Sequence, residues 1–76
     1  MKRPIYDIPP DITTALRVSG LEAAYRARPP YQRNDYVGWI TRAKREATRQ
    51  KRLAQMLAEL ERGDTYMNMP YNARKA

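Results

Sequence analysis

The sequence contains no cysteine, no histidine and no phenylalanine, and only three glycines. Without cysteine there is no disulfide, no thiolate nucleophile and no Cys/His zinc site. Without histidine the usual proton shuttle near neutral pH is missing. The single serine, Ser19, has no imidazole to activate it, which excludes a Ser–His–acid triad. Glycines at 20, 38 and 63 lie too far apart to form a phosphate-cradling loop. The eight acidic residues are scattered and include no DxDxDG-type calcium loop. Their closest pair, Glu59 and Glu61, is two residues apart, and on a helix that spacing turns the two side chains to different faces. These absences point away from catalysis, and no cofactor or metal is expected. No apolar run approaches the ~20 residues of a membrane-spanning helix. The opening MKRPIYDIPP is basic but lacks the apolar core of a secretory signal, so the expected setting is the cytoplasm.

Positive charge, by contrast, is plentiful and uneven. The 76 residues carry a net charge of +7. Residues 42–52, RAKREATRQKR, hold six basic residues against Glu46 alone, and the rest of the chain is close to balanced. A chain of this length forms one small domain and buries only about 60% of its extended-chain surface. Six tyrosines and Trp39 must therefore supply much of its core, each bringing a polar tip that needs water or a partner.

The punctuation along the chain predicts an all-α fold: two short and two longer helices with extended N- and C-terminal segments. Pro4, Pro9 and Pro10 make residues 1–10 an extended arm, with Ile5 and Ile8 able to pack on the body. Asp11 is the candidate N-cap of a helix over 12–18, with Ile12, Ala15, Leu16 and Val18 turned inward. Gly20 ends it, and a second short helix follows over 21–27, with Leu21, Ala24 and Tyr25 on one face. Pro29-Pro30 separates this from a helix reaching residue 43, whose stripe is Tyr36, Val37, Ile40 and Ala43 with Trp39 at its edge. A last helix covers 46–62, with Leu53, Met56, Leu57 and Leu60 as its apolar stripe and Gly63 as its stop. The expected domain is thus an arm (1–10), a helical body (11–63) and a tail (64–76), with 65–70 as a short extended segment packing back on the helices.

PPDITTAL (9–16), PPYQRNDYVGWITRAKREATRQKR (29–52) and ERGDTYM (61–67) resemble the bacteriocin-protection YdeI/OmpD-associated family. The residues carrying the resemblance are Pro10-Asp11, Ala15-Leu16, Pro29-Pro30, Tyr36, Trp39-Ile40, Ala43-Lys44 and Thr48-Arg49. Two positions depart from the pattern. Tyr31 stands where members often have serine, and Arg45-Glu46-Ala47 lacks a proline to separate the long helices. The resemblance implies a small helical module, often at the end of longer proteins, linked by name to antimicrobial-peptide or stress resistance and to a porin. It names no reaction. A lone copy would then act by docking to a separately encoded protein.

The candidate site is the basic face Arg42, Arg45, Arg49, Lys51 and Arg52. On one continuous helix Arg42, Arg45, Arg49 and Arg52 step by 3, 4 and 3 along one side, a ladder suited to an acidic protein partner or to nucleic-acid phosphates. A break near Arg45-Glu46 would split it. Two plainer readings compete: a solvated face with Glu46 pairing locally to Arg42 or Arg49, or structural roles in which Lys44 and Arg49 reach helix carbonyls or carboxylates such as Asp11 or Asp35. Trp39 is read as the central core residue rather than a base-stacking platform. Tyr36 is read as core, and Tyr31 as a cover for the helix start. Met67 and Met69 suit either an adaptable partner surface or tail packing.

Overall fold

A computed structural model describes residues 7–70. Of the expected 1–10 arm, residues 1–6 lie outside the described residues and Pro10 belongs to the first helix; 71–76 of the expected tail also lie outside. Four helices follow one another: α1 (Pro10–Ser19), α2 (Glu22–Ala27), α3 (Pro30–Thr41) and α4 (Glu46–Arg62). A two-stranded antiparallel hairpin, β1 (Thr65–Tyr66) and β2 (Met69–Pro70), closes the described chain. The fold is mostly helical as expected, and the hairpin is an addition to it.

Helix α1 begins two residues earlier than the sequence pattern suggests. Pro9 occupies the N-cap position in extended conformation and Pro10 the first helical position, where its missing N–H costs nothing. Asp11 is therefore not the cap. Its carboxylate accepts the Ile12 N–H at 2.9 Å and otherwise points away from the helix. The other end is a Schellman turn. Gly20 sits at φ 70°, its N–H donates to the Arg17 carbonyl at 3.1 Å, and the Leu21 N–H donates to Leu16 at 2.9 Å. Leu16 and Leu21 then meet in the core. Val18, expected to face inward, is exposed.

Pro29 and Pro30 separate α2 from α3 by the same logic, with the first extended and the second opening the helix. Helix α3 stops at Thr41, two residues before the expected end. The Ala43 N–H turns back to the Ile40 carbonyl at 3.2 Å, and Arg45 is in extended conformation at ψ 143°. The two long helices thus separate without a proline. Helix α4 has the predicted bounds, and Gly63 at φ 81° ends it with its N–H on the Glu59 carbonyl.

The core sits between these helices and against α4. Ile12, Leu16, Tyr36, Ile40, Leu53, Met56 and Leu60 form its buried cluster. Trp39 only packs against the edge of this cluster, half-buried, and is not the core's centre. Tyr36 takes that place, with no exposed surface. The reason is geometric: Tyr36 and Ile40 are one helical turn apart and face α4, whereas Trp39 is rotated off that line.

The hairpin turn, Met67-Asn68, has positive φ at both positions (51° and 65°), the signature of a type I′ turn. Asn tolerates this conformation; Met does so at a cost of roughly 1–2 kcal/mol. Met67 nevertheless packs on the core, while Met69 is exposed.

Two stability outcomes follow. Met56→Ala is expected to cost about 2–5 kcal/mol, because a fully buried side chain leaves a cavity. Gly63→Ala is expected to cost roughly 1–2 kcal/mol from backbone strain alone, since a Cβ there would meet no atom within 4 Å. Urea denaturation of both variants measures these losses.

Candidate functional site

The five predicted site residues do not form one ladder. Arg42 follows the end of α3, Arg45 precedes α4, and Arg49, Lys51 and Arg52 lie within α4. The helix break divides the set, and burial divides it again. Arg42, Arg45 and Lys51 are exposed, as is Lys44; Arg49 and Arg52 are partly buried.

Arg49 reaches from α4 to the start of α1. Its Nε and one terminal nitrogen donate to the two oxygens of Asp11, each at 3.1 Å, a bidentate pair. The guanidinium draws the Asp11 carboxyl below its ordinary range, and Asp11 raises Arg49 in turn. Arg52 donates to the Trp39 carbonyl at 2.7 Å and lies over the Trp39 ring, 5.3 Å from its centroid. It thereby satisfies a carbonyl in the last turn of α3, where a cation also meets the negative end of the helix dipole.

A third arginine does the same for α4. Arg28, at the end of α2, is buried with 5% of its surface exposed. It donates to the Glu59 carbonyl at 3.0 Å and to the Gln32 side-chain oxygen at 3.1 Å. Arg33 in turn donates to the Arg28 carbonyl at 3.1 Å. Each of α1, α2 and α3 is thus tied to α4 by one arginine.

At the foot of this arrangement lies Glu59, buried with 4% exposed. Its carboxylate accepts hydrogen bonds from the Tyr36 hydroxyl, from the Met67 and Asn68 backbone N–H groups at 2.8 Å each, and from the Gln55 side chain at 3.1 Å. Burial alone would raise its pKa, but the four donors outweigh that and hold it below the ordinary range. Tyr36 is pushed the other way, by burial and by its bonded carboxylate, so the proton stays on the tyrosine. Tyr66 completes the cluster. Its ring meets Tyr36 and Tyr31 edge-on at 5.4 and 6.0 Å, and its hydroxyl donates to Asp35 at 2.6 Å.

Glu59 was not among the expected site residues, its sequence neighbour Glu61 being turned to another face of the helix. The signal was present. Met56, Glu59 and Leu60 share one face, so Glu59 is a charge inside an apolar stripe. Nothing in the sequence marks Arg28, whose role depends on where α4 ends. Among the described residues no three acidic side chains gather as a metal site, and no helix is long and apolar enough to cross a membrane.

Residues 6–63 match the family described as Bacteriocin-protection, YdeI or OmpD-Associated. The chain belongs to that family. No curated protein and no solved structure matches it. The match stops at Gly63, so the hairpin that Glu59 holds lies beyond it. Several residues that carry the family resemblance are among those that join elements here: Asp11 and Arg49 to each other, Trp39 to Arg52, and Tyr36 to Glu59.

Glu59→Gln preserves shape but removes the charge that four donors address, and is expected to cost about 1–3 kcal/mol at neutral pH. The folded pKa of Glu59 is depressed, so its stabilisation is present above the ordinary glutamate value of about 4.3 and is lost as the pH falls through the lower folded value. Stability measured from pH 7 to pH 3 should fall less steeply in Glu59→Gln than in the parent. Equal slopes would show that the carboxylate is not held as described.

Proposed function

We propose that the chain is a non-catalytic interaction module, set in the cytoplasm, that docks an acidic protein surface onto the basic corner between α3 and α4. The carrying observation is the division of the basic stretch. Arg49 and Arg52 are spent on Asp11 and Trp39, whereas Lys44, Arg45 and Lys51 are exposed around Glu46, with Arg42 beside them at the surface. Cations gathered on a loop and the first turns of a helix favour encounter with an acidic partner, and they set specificity and on-rate more than affinity.

Two features favour a protein over a nucleic acid as the partner. The arginine ladder is interrupted at residues 42–45, so it does not track a phosphate backbone as one helix face would. Trp39, the aromatic nearest the stretch, has Arg52 over one face of its ring and packs against the core cluster, so a base would have to compete for it. The family name links its members to bacteriocin protection and to OmpD association; for this chain, resistance to antimicrobial peptides or stress is the proposed setting in which the docking acts.

The test is fluorescence anisotropy with a labelled Asp/Glu-rich peptide and, separately, labelled duplex DNA, each at two salt concentrations. Binding of the peptide, weakened by salt and by at least about tenfold in the double variant Lys44→Glu/Arg45→Glu, is the expected outcome. Arg49→Ala should instead lower the melting temperature. Tight, steeply salt-dependent DNA binding would replace this reading with nucleic-acid recognition. Binding of neither probe would leave the corner as a solvated surface and end the proposal.

A further inference from the structure

A second surface lies away from the basic corner, and no residue of 42–52 lines it. It is a groove of about 310 Å³, open to solvent on one side, between α1, α2 and the start of α3. This volume is at the low end of the ~300–1,000 Å³ typical of small-molecule sites. Its floor is apolar: Leu16 from the core, the half-buried Tyr25 ring, and Ile8 at the edge. Its polar groups are Glu22, Arg26 and Arg33, with the Thr13 hydroxyl already donating to the Pro9 carbonyl.

The charges around the groove define what fits. Two guanidiniums against one carboxylate leave an excess of one positive charge, which suits a monoanion and is a poor match for a doubly charged phosphate beside Glu22. Arg33 is held in place by its bond to the Arg28 carbonyl at 3.1 Å, so its fork is ordered before any ligand arrives. Tyr25 and Arg33 both line the groove. A planar fork recognises a carboxylate through paired N–H donors, and the half-buried Tyr25 phenol is a neutral group beside it.

We infer that the groove between α1, α2 and α3 binds a small ligand with an apolar body and a single terminal carboxylate, its chain on Ile8, Leu16 and Tyr25 and its carboxylate at Arg26 and Arg33. This site is independent of the proposed docking corner.

The test titrates octanoate into the 15N-labelled full chain and follows amide shifts, with octanol and octylammonium as controls. Saturable shifts at Thr13, Tyr25, Arg26 and Arg33, seen with octanoate and not with either control, are the expected result. Arg26→Ala should weaken octanoate about tenfold, the value of one charge-assisted hydrogen bond pair, and Arg26→Lys less. Arg26 is exposed at the end of α2, so both variants should keep the parent's spectrum elsewhere. Equal binding of octanol would show an apolar cleft without carboxylate recognition and overturn the inference. So would shifts confined to residues 42–51, or no shift at millimolar octanoate.

Discussion

The Glu59 carboxylate is the interaction on which the rest of the structure depends. A carboxylate removed from water is costly unless each oxygen is met by donors. Here it is met from three directions: a tyrosine of α3, a glutamine of its own helix, and two backbone N–H groups of the hairpin. It also lies in the last turn of α4, where the helix dipole disfavours negative charge. Arg28, on the carbonyl of the same residue, supplies the opposing charge. The hairpin could not stand alone, since two-residue strands are marginal in water and its turn holds Met67 at positive φ. It persists because its turn is bonded to Glu59 and its Tyr66 ring closes over Tyr36.

The arginines extend the same principle outward. In so small a domain the apolar contacts are few, and three arginines reach across helix boundaries to do what further packing would do in a larger chain. Arg49 fixes the start of α1, Arg52 the end of α3 and Arg28 the end of α4. A high net charge is therefore a misleading guide to function unless the committed cations are set aside first. Lys44, Arg45 and Lys51 are the exposed cations at and beside the α3–α4 corner, a smaller set than the six basic residues of 42–52 suggest.

Much of this was legible from the residues. Pro29-Pro30, Gly20 and Gly63 mark helix ends because their backbone preferences are local, and the stripe from Leu53 to Leu60 gives the bounds of α4 without any tertiary information. The structural reading of Arg49 against Asp11 was among the alternatives, and the geometry selects it. What was not legible is tertiary. The prolines at 9 and 10 displaced Asp11 by taking the cap and the first helical position themselves. Size alone gives Trp39 the centre of the core, although the helical stripe through Tyr36 and Ile40 already places it at the edge, where the structure has it. The apolar face of Met56 and Leu60 marks Glu59 as a buried charge, but two of its donors are not legible, because Met67 and Asn68 reach it only through the hairpin, eight and nine residues further along the chain.

Amide hydrogen exchange at Met67 and Asn68 tests this account most directly. Both N–H groups belong to a turn near the end of a short chain, where peptides ordinarily exchange freely. If they are bonded to a buried Glu59 carboxylate that organises the fold, they should be protected at neutral pH to the level of the interior amides of α4, and lose that protection together with Tyr66. Exchange at both positions at the rate of an unstructured peptide, with α4 still protected, would contradict it.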